Sequence, residues 1–92
     1  MDINKFIPKA KELVANYTNE KLKASFTNTI GLELVEPDSV YVVWSSKTLQ
    51  NAKALLSTDI PDNMYYEVTY NGDKKEIYFD AYYKVHNMKV EV

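Results

Sequence analysis

Ninety-two residues with 46% apolar and 26% charged side chains are an ordinary globular composition, which excludes a disordered or collagen-like chain and predicts one domain over residues 1–92. With no cysteine there is no disulfide, thiolate nucleophile, Cys-type zinc site or iron–sulfur cluster. The net charge of -2 divides into an excess of lysine over residues 1–25 and an excess of acid beyond, with no arginine anywhere, which argues against sequence-specific reading of duplex DNA.

Ile3, Phe6, Ile7, Ala10, Leu13, Val14 and Tyr17 recur at i, i+3, i+4, i+7 spacing, which places them on one face of a helix with the lysines and Glu12 mainly opposite. Asp2 suits the N-cap. Pro8 removes one backbone hydrogen bond, so either the helix bends there or its main body starts at Pro8. The periodicity decays between Asn19 and Lys23. Residues 25–39 are rich in Ser, Thr, Asn, Gly and Pro and read as a loop, with a short apolar interruption at Leu32–Val35.

Val40–Ser46 is β-branched and aromatic, and reads as strand one. Residues 47–58 suit either a helix face or a strand; turn residues at Thr48–Asn51 favour a hairpin, with strand two at Ala52–Thr58. After a turn at Asp59–Asn63, Asn71-Gly72 predicts a two-residue type I′ hairpin in which Val68 faces Lys75, Tyr66 faces Ile77 and Met64 faces Phe79. One side then carries Met64, Tyr66, Val68, Ile77, Phe79, Ala81, Tyr83 and Val85. The other carries Tyr65, Glu67, Thr69, Lys74, Glu76, Tyr78, Asp80, Tyr82 and Lys84. The amphipathic helix and the one-sided apolar meander cover each other, so the fold class is α+β: an N-terminal helix packed on a four-stranded antiparallel sheet.

Chemistry-bearing motifs are sparse. The sole histidine, His86, has no nucleophile beside it, and neither a zinc nor a calcium ligand spacing occurs. Gly31 and Gly72 alone cannot build a phosphate-binding loop. Glu67 and Glu76 would sit opposite one another on the polar side, an acid–base pair only if a pocket enclosed them. The expectation is no enzyme and no cofactor. No apolar run is long enough to span a bilayer and Met1–Lys9 lacks a signal-peptide core, so the chain is expected to be cytoplasmic, with no membrane partner.

Eight tyrosines are the anomaly. Tyr65, Tyr78 and Tyr82 fall on the polar side with Glu67, Glu76 and Asp80, and rings that combine an apolar body with a hydroxyl favour protein interfaces. The acids among them repel nucleic acid, so the expected partner is a protein and the expected contact residues are Tyr65, Glu67, Glu76, Tyr78, Asp80 and Tyr82. A rival reading has the chain pairing with its own copy through an exposed sheet edge. Another has it binding single strands through the helix lysines and sheet aromatics.

Val40-Tyr-Val-Val-Trp44, Lys47-Thr-Leu-Gln-Asn51, Lys53-Ala-Leu-Leu-Ser-Thr58, Tyr65–Lys74 and the Tyr78, Asp80, Tyr82 alternation resemble a family of short uncharacterised phage and prophage proteins of Gram-positive hosts. The first helix matches through Phe6-Ile7, Ala10-Lys11 and Tyr17. Where that family often has cysteine in strand one, Ser46 stands here. The resemblance implies a phage accessory protein acting in the host cytoplasm on a host protein, with a CRISPR effector nuclease of the Cas9 type as the specific expectation and anti-CRISPR as the class.

Overall fold

The computed structural model describes residues 3–25 and 33–92. It consists of one helix, α1 (Ile3–Ser25), a single 3₁₀ turn at Pro37–Ser39, and four strands: β1 (Tyr41–Thr48), β2 (Asn51–Ser57), β3 (Met64–Asn71) and β4 (Glu76–Tyr83). The strands form one antiparallel sheet in the order β1-β2-β3-β4, and α1 lies over β2 and β3. The expected cap at Asp2 and most of the loop before residue 33 lie outside the described residues.

The apolar stripe positions α1. Phe6, Ala10 and Val14 are fully buried, Ile7 and Leu13 pack against the core, and Ala15 and Thr18 extend the buried stripe. Pro8 sits inside a continuous helix, so the main helix does not start there; as its sixth residue the proline forgoes one intrahelical hydrogen bond, the one an N–H there would give to the Asn4 carbonyl. Facing α1, the sheet buries Ala52, Ala54 and Leu56 from β2 and Tyr66, Val68 and Tyr70 from β3. Each fully buried large side chain contributes roughly 1.5–3 kcal/mol. Tyr17 stays partly exposed but packs its ring on Tyr66 and Phe79, with centroids 5.7 and 5.3 Å away. The helix reaches the fourth strand through this contact.

No helix forms over residues 47–58: β1 runs on to Thr48, a turn follows, and β2 spans Asn51–Ser57, one residue earlier at each end than expected. Thr48 pairs with Asn51 across a two-residue turn in which Leu49 takes φ 55°, and the Lys47 ammonium donates to the Leu49 carbonyl at 2.8 Å. β1 carries a bulge: Val42 pairs with Leu56 and Trp44 with Leu55, leaving Val43 as the extra residue.

The β3–β4 hairpin differs from the expected type I′ turn. Asn71 pairs with Glu76, so the loop is four residues, Gly72–Lys75. Its organiser is the Asn71 side chain, whose Oδ1 accepts from the Asp73 and Lys74 N–H groups at 3.1 and 3.2 Å, and the positive φ of 54° falls on Lys75. Gly72 serves a close approach instead: a Cβ there would lie 2.0 Å from the Gln50 carbonyl oxygen, and the Gly72 N–H donates to Asn51 Oδ1 at 3.1 Å. Consequently Val68 faces Phe79, Tyr66 faces Ala81 and Met64 faces Tyr83, four positions from the expected pairing. An even shift leaves every side chain on its expected face while changing its neighbour.

Lys74 belongs to the loop, and β4 stops at Tyr83, so Lys84 and Val85 are not strand residues. The Lys84 N–H still donates to the Asn63 carbonyl at 2.8 Å, and residues 85–92 run on exposed. Ala81 and Tyr83, expected under the helix, are exposed because α1 does not extend over that end of β4. Among the described residues no helix is long and apolar enough to cross a membrane.

Candidate functional site

The side of the sheet turned away from α1 has no covering layer among the described residues. Side chains alternate across a strand, so the cross-strand partners define its rows. Tyr65 pairs with Tyr82, Glu67 with Asp80, Thr69 with Tyr78 and Asn71 with Glu76. All six residues expected at a contact surface therefore share this face. Glu76, Tyr78, Asp80 and Tyr82 are exposed, while Tyr65 and Glu67 are half-buried by their neighbours.

One expected juxtaposition does not occur. Glu67 does not oppose Glu76; the four-residue loop brings Asp80 across from it instead. Two carboxylates directly opposite repel. Lys53, arriving from β2, relieves Glu67 with its ammonium 3.5 Å from Oε1, whereas Asp80 has no cation within ion-pair distance among the described residues. Glu76 instead accepts a short hydrogen bond from the Tyr78 hydroxyl, and that bond together with the carboxylate's charge raises the Tyr78 phenol above its ordinary value. Lys84 places its ammonium 5.8 Å from the centre of the Tyr65 ring.

The first two strands supply residues the sequence did not point to. Pairing of Trp44 with Leu55, and of Tyr41 with Ser57, puts Tyr41, Trp44 and Leu55 on the same open face. Trp44, Ser46, Thr48, Lys53 and Thr69 line a shallow, largely apolar depression of about 270 Å³. The alternation of Trp44, Ser46 and Thr48 was available as a signal, but the bulge at Val43 was not. In an unbulged strand Tyr41 and Trp44 would point to opposite sides.

Chemically, the face offers large rings, hydroxyls and carboxylates on a rigid support, with Lys53 and Lys84 as its nearby cations. His86 lies in the exposed segment beyond β4. Among the described residues no group of three or more His, Cys, Asp or Glu is placed to hold a metal ion.

Residues 7–92 match the model of a family described as a family of unknown function, DUF6275. Neither a curated protein nor a solved structure matches the chain.

Proposed function

We propose, given that the chain belongs to the DUF6275 family of unknown function, that it is a non-enzymatic binding protein whose open sheet face occupies a functional surface of another protein. The observation that supports this reading is that face itself: Tyr65, Tyr78 and Tyr82 interleaved with Glu67, Glu76 and Asp80 on β3 and β4, with Tyr41 and Trp44 on the same side of β1. Four strands of seven or eight residues span roughly 19 by 26 Å before side chains are added. That is the scale on which a standard contact, about 800 Å² per partner, is built.

The chemistry of the face selects a target. Aromatic rings supply contact area at low entropic cost, and carboxylates between them favour a basic surface. A cleft that holds nucleic acid is such a surface, and an acidic occupant would compete with phosphate. Joined to the resemblance to phage and prophage proteins, which alone implies the origin and the class, the specific form of the proposal is an accessory protein that blocks a host nuclease in the cytoplasm, an anti-CRISPR of the kind that acts on a Cas9-type effector.

The test pairs capture with a face variant. Tagged chain should retain one host protein at near-equal amount, and Tyr78→Ala combined with Asp80→Ala should weaken that binding about thirtyfold while the melting temperature stays within a few degrees. Undiminished binding by the folded double variant would exclude this face. With a purified Cas9-type nuclease and its guide, the chain should suppress target cleavage, and full cleavage at saturating chain would exclude that target.

A further inference from the structure

The segment after β4 reads Val85-His86-Asn87-Met88-Lys89-Val90-Glu91-Val92, and from Met88 onward apolar and charged residues alternate strictly. Alternation of β-branched residues with charges is the pattern of a half-buried strand, yet Met88 and Val90 are 69% and 67% exposed. Among the described residues Lys89 and Glu91 form an ion pair with each other alone, at 3.3 Å and nearly in full solvent, which is of little worth. Beside the segment, β4 is an edge strand with one row of backbone groups unpaired within the sheet. The molecule's extension agrees: the Cα radius of gyration is 15.1 Å, where a compact domain of this length has about 12 Å.

We propose that segment 86–92 forms a fifth strand on β4 of a second copy of this chain, each copy lending its segment to the other. Two independent features select the register. In the antiparallel pairing that sets Lys89 opposite Asp80, Met88 falls opposite Ala81, Val90 opposite Phe79 and Val92 opposite Ile77. Apolar residues then join the helix side of β4, where Ala81 lies uncovered. On the open side, Lys89 extends the row Leu55, Glu67, Asp80, in which Lys53 reaches Glu67 diagonally from the neighbouring row, and supplies the cation that Asp80 lacks among the described residues. A shift by two residues in one direction sets Glu91 against Asp80, and in the other sets it against Glu76. Both juxtapose like charges.

The same register within one chain needs a two-residue turn at Lys84-Val85. Such turns demand positive φ at one or both residues, which a β-branched valine resists. A short connection that cannot close is the usual origin of exchange between copies. The Lys84 N–H, bonded to the Asn63 carbonyl, also continues the β3–β4 pairing one residue past Tyr83, which holds Lys84 out of such a turn.

Sedimentation velocity over a concentration series tests this on the full chain. The expected result is a monomer–dimer equilibrium in which Lys89→Glu and Asp80→Lys each weaken the dimer about tenfold. Combining the two reversals should restore it to within about threefold of the original. Asp80→Lys gains Glu67 as a neighbour, so its own sheet stays folded, and circular dichroism verifies that. A monomer at every concentration overturns the proposal. So does a dimer that ignores the single reversals or is not restored by the double one. Protection of the amides of residues 86–92 from exchange in a strict monomer would assign the strand to the chain's own edge and also overturn it. None of these outcomes depends on the open face finding another protein.

Discussion

Tyr66 is the largest fully buried side chain, and its hydroxyl must be accommodated inside the core. Thr18, itself buried, donates to it across a long 3.5 Å contact from α1. Burial pushes the phenol above its ordinary value of 10.0; the Thr18 bond offsets part of that, and the charges of Asp62 and Tyr17 add to the rise. A folded-state value above the unfolded one means that the unfolded chain releases its proton first as pH rises. The contribution to stability is then intact below 10.0 and is lost as pH climbs through the raised folded value. Thermal melts should show a plateau at neutral and mildly alkaline pH and a decline beyond 10.0, and Tyr66→Phe should flatten that decline. At neutral pH the same substitution should cost no more than about 1 kcal/mol, because the bond removed is long. An unchanged alkaline slope in the Phe variant would mean that another group sets it. The inward direction of Tyr66 was legible from alternation alone, but the hydroxyl's partner was not, because Thr18 lies 48 residues away on another element.

At the scale of elements, one side chain ties the helix to the chain that enters the sheet. Asn19 donates through Nδ2 to the Val35 carbonyl at 2.9 Å and accepts the Val35 N–H at Oδ1 at 2.7 Å, so a single amide pairs both backbone groups of Val35 as a strand neighbour would. Asn19→Ala should destabilise the fold by about 1–3 kcal/mol, read as a lower urea midpoint with an unchanged slope. A loss within experimental error would place that clasp in water's reach. The helix, the hairpins and the face of every β3 and β4 residue were legible, because periods of 3.6 and 2 survive in the sequence. Pairing was less so. Asn71-Gly72 carries the signature of a tight turn, but the Asn71 carbonyl oxygen captures two N–H groups and opens the loop to four residues, while Gly72 is spent on its contact with Gln50. Glu67 therefore meets Asp80 and not Glu76. The bulge at Val43 left no mark either, since Val42, Val43 and Trp44 are equally good strand residues, and with it Trp44 was lost from the expected surface.

At the scale of the whole molecule the described residues form a slab, 45 × 42 × 19 Å, with α1 on one side of the sheet. Such an architecture separates two tasks: the helix side supplies the buried core, while the open side carries side chains whose replacement leaves that core intact. Tyr78 and Asp80 can therefore be exchanged without unfolding the chain, whereas Leu56 or Val68, wholly enclosed, cannot be truncated without a cost of about 2–5 kcal/mol. Trp44 gives this division an optical consequence. It is the chain's single tryptophan and stands 44% exposed on the open side. Its indole emission reports the wet state of that surface without any label. A partner that covers the face should shift the emission to shorter wavelength and shield it from iodide quenching. Association through β4, at the opposite edge of the sheet, should leave the spectrum in place, so a single fluorescence titration distinguishes the two kinds of encounter.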